Sequence, residues 1–199
     1  MSPMQGWEDK LIRKRAQFVD AHTLDLGDEK IWAEKIIIAT GSRPVIPGPW
    51  LDFQNHLITT DELFEMEELP PKVAVIGLGV IGLELGQALN RLGIEVVGIG
   101  LGKEMGGSTD PEVQEDIIKN LHKEMPLYFE GANIAGVDEQ NRLIVKAGDS
   151  EEETFHVDKA IVAVGRRSNA DRLGLENLNI ELEKGLPRYS MSTLELLEE

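Results

Sequence analysis

Between Val73 and Glu84 the chain reads Val-Ala-Val-Ile-Gly-Leu-Gly-Val-Ile-Gly-Leu-Glu. The glycines at 77, 79 and 82 have the G-x-G-x-x-G spacing that brings a main chain against a phosphate. Gly77 lets the chain turn sharply off a strand. Gly79 leaves no side chain between backbone and diphosphate, and Gly82 lets the next helix lie close to the strand. The helix start adds unpaired N–H groups and the positive end of the helix dipole, both of which favour an anion. The chemistry implied is capture of a dinucleotide by its pyrophosphate, with Gly77, Leu78, Gly79, Val80, Ile81 and Gly82 as candidate contacts.

The elements that must position this turn are legible on both sides. Val73–Ile76 reads as a short apolar strand, and Pro70-Pro71 ends whatever precedes it. Ile81, Leu85, Ala88, Leu89 and Leu92 recur at helical spacing, and Gly93 stands where a left-handed C-terminal cap belongs. Glu95–Ile99 reads as the next strand. Strand, turn, helix and strand fit within about 30 residues, as a dinucleotide-binding unit requires.

Composition removes several alternatives. The 199 residues suffice for one sizeable domain or one domain and part of another. Twenty basic against 36 acidic residues give a net charge of −16. Such a surface repels nucleic-acid backbones and anionic lipids, so neither is an expected partner. No apolar run is long enough to span a bilayer and no secretory signal is visible, which points to a cytoplasmic protein. With no cysteine there is no disulfide framework and no thiolate nucleophile. His22, His56, His122 and His156 are scattered, so no metal site is expected. No catalytic constellation stands out, which argues against a complete one-domain dehydrogenase.

The rest of the chain is read more coarsely. Ala16–Asp20, Thr23–Leu26 and Lys30–Ala33 read as short strands, and Ile36–Ala39 as a buried strand running into Thr40-Gly41-Ser42-Arg43-Pro44. Thr59–Met66 reads as a short helix with a capping box from Thr59 to Glu62. Asp110-Pro111-Glu112 opens a helix with the apolar stripe Val113, Ile117, Ile118 and Leu121. Leu127–Phe129, Asn133–Val137, Leu143–Lys146 and Thr154–Val157 form an antiparallel meander. Lys159–Val164 is a further buried strand, ending at Gly165 like its counterpart at Gly41. Leu173–Ile180 and Ser192–Glu199 carry only a faint pattern.

Ala39-Thr40-Gly41-Ser42-Arg43-Pro44, then Gly77-x-Gly79-x-x-Gly82-Leu83-Glu84, then Ala163-Val164-Gly165-Arg166 and Asn169 occur in order. Together they resemble the pyridine nucleotide–disulfide oxidoreductases, with dihydrolipoamide dehydrogenases and mercuric reductases as the nearest likeness, over roughly residues 10–190. The resemblance implies a flavin domain interrupted by a nicotinamide-nucleotide domain. Residues 1–70 and 167–199 would be parts of the former and residues 71–166 the latter. It implies Thr40 and Gly41 near FAD, Glu84 near the nicotinamide and Gly165 close to the same cofactor. From the residues alone, Glu84 is a first-turn acid favouring the helix dipole.

The departures matter as much. The family's N-terminal flavin fingerprint, its Cys-x4-Cys pair, its later Gly-Asp motif and its interface domain are absent from this sequence. The chain is therefore expected to be part of a flavin-dependent enzyme that binds NAD(P)H without turnover. Its partners would be the missing FAD and interface domains. Self-association is expected through apolar surface near Ile36–Ile38 and Ile161–Val164. The acid expected at the end of the second strand, which would bind the ribose 2′-hydroxyl, is replaced by Gly100. Lys103 could meet a 2′-phosphate, but no arginine supports it, so NAD(H) is favoured and NADP(H) stays open. The fold expected is a three-layer α/β Rossmann-type FAD/NAD(P)-binding fold: a parallel sheet with helices on one face and the antiparallel meander on the other. A non-catalytic nucleotide-sensing module is the alternative, although such modules usually begin with the glycine-rich strand.

Overall fold

The structure, a computed structural model, describes residues 6, 8–102, 105–129, 131–148, 153–183, 186–192 and 195–196. Lys103 and Glu104, both weighed above for cofactor choice, lie outside them. The chain divides into two compact units, residues 1–43 with 168–199, and residues 44–167.

In the first unit β1 (Gln17–Asp20), β2 (Thr23–Asp25) and β3 (Lys30–Trp32) form an antiparallel sheet in that order. The β1–β2 turn is held by the Asp20 carboxylate, which accepts the His22 N–H at 2.8 Å. Phe18 packs with Ala170 and Leu175, and Leu24, Ile36 and Ile38 border this small core. Ile36–Ala39, expected as a buried strand, is not one: the segment has no strand conformation and Ile37 is 90% exposed. A parallel strand persists only with neighbours on its edges and cover on both faces. Among the described residues nothing pairs with this segment, so its apolar sequence is only half buried. The chain leaves this unit through β4 (Ser42–Pro44).

The second unit carries the expected layers. β5 (Leu57–Thr59), β6 (Lys72–Ile76), β7 (Glu95–Ile99), β8 (Leu127–Tyr128) and β12 (Lys159–Val162) form a parallel sheet in the order β5-β12-β6-β7-β8. α1 (Val80–Arg91) joins β6 to β7, and α2 (Pro111–Leu121) joins β7 to β8. β9 (Ala132–Val137), β10 (Leu143–Ala147) and β11 (Thr154–Val157) form the separate antiparallel meander. β13 (Arg166–Ser168) returns the chain to the first unit, where β14 (Leu182–Glu183) and β15 (Leu186–Pro187) pair. Leu127–Tyr128, read above as the meander's first strand, instead pairs in parallel with β7, because the crossover helix α2 returns it to that edge.

Two cores cover the two faces of the parallel sheet. Ala74, Ile76, Val97, Ile99, Ala160 and Val162 meet Leu143, Val145, Ala147 and Val157 of the meander. Val73, Val75, Val96 and Ile161 meet Leu83, Leu89, Met105 and Met125 on the helical side. Burial on both faces is why β6 reads as an unbroken apolar run rather than an alternating one. It also corrects the expectation of exposed surface at Ile161–Val164. β12 lies between β5 and β6, so Ile161 and Val162 are buried.

α1 buries a face other than the one its large apolar residues suggest. Gly82, Leu83, Gly86 and Leu89 are inward, while Ile81 is 43% and Leu92 70% exposed. The glycines decide this orientation: without side chains at 82 and 86 the helix backbone can lie close to the sheet and to Met125. Gly93, with φ +91, closes the helix in the left-handed conformation expected of it. Asp110 caps α2, accepting the Glu112 N–H at 2.9 Å.

The β9–β10 hairpin is organised by one carboxylate. Asp138 accepts the N–H groups of Gln140 (3.0 Å) and Arg142 (2.8 Å), the Arg142 Nε–H (2.9 Å), and contacts His156 Nδ1 at 2.7 Å. Burial works against its charge, but the Arg142 amide, His156 and the Arg142 guanidinium outweigh burial and bring the pKa from 3.8 down to about 2. The charged form is therefore stabilised in the fold. Its contribution is complete above the ordinary carboxylate range and disappears as pH falls through about 2. Asp138→Asn is expected to flatten the fall in melting temperature over that acid interval. Equal slopes for wild type and variant would remove Asp138 from the acid response.

Candidate functional site

The turn between β6 and α1 has the geometry its three glycines require, each for a different reason. Gly77 has φ +97, donates its N–H to Ile99 O at 2.8 Å, and would carry a Cβ 2.5 Å from Ala163 O. A Cβ at Gly82 would overlap the Gly77 carbonyl oxygen and approach the Ala163 Cβ at 3.3 Å. Gly79, the N-cap of α1, is different. Its backbone is extended (φ −67°, ψ −176°) and a Cβ there would meet nothing within 4 Å. The fold needs glycine at 77 and 82, whereas at 79 only an incoming group would. The first N–H groups of α1 have no intrahelical acceptors and are therefore available to an anion at Gly79.

Beside the turn, on the β12 and β5 side, lies a cleft of about 230 Å³. Gly79, Val80 and Ile81 form one wall, Gly165 and Arg166 another, and Thr60 a third. A larger cavity, about 430 Å³, is lined by Asn55, His56, Asn141 and Lys159. Its walls include the amino ends of β5 and β12, away from the glycine turn. Ligands of open α/β sheets bind outside the carboxyl ends of the strands, so the smaller cleft is the relevant one.

On the other side of β6, Gly100 follows the end of β7. Its N–H donates to Tyr128 O at 2.7 Å and its carbonyl accepts the Gly131 N–H at 3.0 Å. A Cβ at Gly100 would lie 3.1 Å from Gly102 O and 3.2 Å from the Phe129 ring. The position where a ribose-binding acid would stand is thus tight, and a side chain there would require the Phe129 ring and the Gly102 carbonyl to give way slightly.

The residues from 6 to 188 match the family profile described as pyridine nucleotide-disulphide oxidoreductase. The chain belongs to this family. It is 32% identical over 177 residues to a mercuric reductase of Lysinibacillus sphaericus, covering 87% of this chain and 32% of that protein. It is 32% identical over 190 residues to a dihydrolipoyl dehydrogenase of Staphylococcus aureus, covering 92% of this chain and 40% of that one. The HOCl-induced flavoprotein disulfide reductase RclA from Escherichia coli shares the fold, with a TM-score of 0.77 and 22% identity over 94% of this chain and 44% of RclA. The chain thus spans a third to two fifths of the length of these two sequence relatives.

Within this family member, the second unit brings together the Gly77–Gly82 turn and Gly165, which has φ +123 and accepts the Val45 N–H at 3.1 Å. Thr40 and Gly41 lie in the first unit, where Asn169 clasps their turn. Its side-chain amide donates to Thr40 O at 2.9 Å and its backbone N–H to Gly41 O at 3.1 Å. Glu84 is exposed on α1. It is the fifth residue of a helix starting at Val80, which removes the reading of Glu84 as a first-turn acid.

Thr60 and Asp61 were missed. The capping box does form: the Glu62 carboxylate accepts the Thr59 N–H at 2.7 Å, and Thr59 Oγ1 accepts the Glu62 N–H at 3.3 Å. It does not start an α-helix. β5 occupies Leu57–Thr59 and only a 3-10 turn, Glu62–Glu65, follows. The signal that could have found these residues is the apolar Leu57-Ile58 pair running into two threonines and an acid, which reads equally as the end of a buried strand. Arg166 pairs with Asp61 at 2.8 and 3.3 Å, and this contact raises the guanidinium pKa and lowers that of the carboxylate.

Proposed function

We propose that the second unit is the nicotinamide-nucleotide-binding portion of a flavin-dependent, dihydrolipoamide dehydrogenase-like disulfide oxidoreductase. On this reading Gly79 and the start of α1 hold the pyrophosphate of NAD(P)H. The observation that carries the reading is the open space at Gly79 between two glycines whose Cβ positions are already occupied. The adenosine would run toward β7 and Gly100, and the nicotinamide toward β12 and Gly165.

NAD(H) is favoured because no arginine follows β7 to meet a 2′-phosphate and the net charge of −16 disfavours an additional anion. NADP(H) stays open because Gly100 carries no carboxylate to repel that phosphate. In the complete enzyme FAD would pass the hydride's two electrons on to a dithiol/disulfide pair. This sequence has no cysteine and only one G-x-G-x-x-G, so thiol chemistry and a second dinucleotide turn would come from outside it. Its partners on this reading are the flavin-binding and interface portions of the enzyme. The full chain supplied with FAD and NADH is expected to show no diaphorase activity above free FAD. Saturable turnover proportional to protein would overturn the inactive reading while leaving nucleotide binding intact.

A further inference from the structure

Thr60 is the single buried polar residue among the described residues, at 8% exposure, and it lies in the cleft beside the glycine turn. Its position is set by two charged neighbours. Arg166 donates to Thr60 Oγ1 at 3.2 Å and to the Asp61 carboxylate at 2.8 Å, so one guanidinium ties the end of β5 to the residues after β12. The Thr60 hydroxyl points its own proton only loosely at Asp61 Oδ1, 3.5 Å away. That distance is at the outer limit of a hydrogen bond. A hydroxyl has one proton and two lone pairs, and Arg166 uses a single lone pair. Thr60 therefore keeps both donor and acceptor capacity inside a cleft whose lining, apart from Thr60 and Arg166, is apolar or glycine.

The cleft has the size of half a dinucleotide rather than a whole one; ligand pockets for whole drug-sized molecules run from about 300 to 1,000 Å³. It also lies on the correct side for one particular half. The pyrophosphate belongs at the end of β6, and the adenosine ribose belongs at the end of β7. In the order β5-β12-β6-β7 the remaining half must lie over β12 and β5, where Thr60 and Gly165 stand. We propose that Thr60, held by the Asp61–Arg166 pair, is the hydrogen-bonding contact for the nicotinamide half of the dinucleotide. Asp61 and Arg166 are positioning residues. This rests on the reading that the glycine turn binds a dinucleotide, and it assigns the uncharged carboxamide of the nicotinamide to a specific side chain.

The test titrates the full chain with NADH and with ADP-ribose, which carries the pyrophosphate and both riboses but no nicotinamide. Thr60→Val keeps the side-chain shape and removes the hydroxyl. It is expected to weaken NADH binding roughly tenfold, the scale of one lost hydrogen bond, with ADP-ribose affinity unchanged. Thr60→Ser restores the hydroxyl and with it NADH affinity. Asp61→Asn loosens Arg166 and shows the same selectivity to a smaller degree. Equal losses for both ligands in Thr60→Val, or no loss for either, would overturn the assignment. So would wild-type protein that binds NADH no more tightly than ADP-ribose. Wild-type protein that binds neither ligand overturns the glycine-turn reading itself, an outcome distinct from the others.

Discussion

Gly82→Ala is expected to destabilise the second unit by about 3 kcal/mol or more, the upper range for forcing extra atoms into a packed site. The added Cβ would overlap the Gly77 carbonyl oxygen and press on Ala163, so α1 would have to move off β6. Neither neighbour can yield cheaply, because Gly77 is itself tied to Ile99 by a 2.8 Å backbone bond and Ala163 to Ile76 by another of 2.8 Å. In a chain of this size the loss corresponds to a fall of roughly 10 °C in melting temperature. Thermal unfolding followed by far-ultraviolet circular dichroism would show it. A variant melting within about 1 °C of wild type would mean that helix and strand are not packed as described.

The same comparison of glycines shows what was legible beforehand and what was not. The βαβ unit announced itself because strand, turn and helix signals coincide within one short stretch around Gly77–Gly82, and local chemistry decides all of them. The face that α1 buries was not legible. Periodicity weighs Ile81 and Leu92 by size, whereas the close approach of helix to sheet is set by the absence of side chains at Gly82 and Gly86. Ile36–Ala39 failed for the opposite reason. Its composition is that of a central strand, but strand conformation depends on neighbours, and no described strand pairs with it. Leu127–Tyr128 has too few residues to tell a meander strand from an edge of the parallel sheet. Thr60 and Asp61 were hidden by a capping box that is real but caps only a 3-10 turn. Of the candidate site, the glycine turn was readable from spacing. The cleft was not, since Thr60 and Arg166 stand more than a hundred positions apart in the chain and meet only through the order of the sheet.

Gly79→Val carries the second large effect, with its consequences reversed. Gly79 is an extended N-cap position at which an added Cβ meets no atom within 4 Å, so a branched side chain starts from open space. The cost to stability is limited to cap preference, about 1 kcal/mol or less. The valine would stand where a pyrophosphate must approach the backbone, and NADH affinity is expected to fall at least tenfold, a loss of about 1.4 kcal/mol or more. The pair of variants thus separates a glycine that the fold needs from a glycine that only a ligand needs.

The most direct measurement is a fluorescence titration of the wild-type full chain with NADH, repeated with NADPH and with Gly79→Val. Saturable binding of at least one nucleotide to wild type, lost in a Gly79→Val protein that melts normally, is the result expected of a working dinucleotide site at Gly77–Gly82. Binding that survives Gly79→Val unchanged, or a well-folded wild type that binds neither nucleotide, would contradict that site.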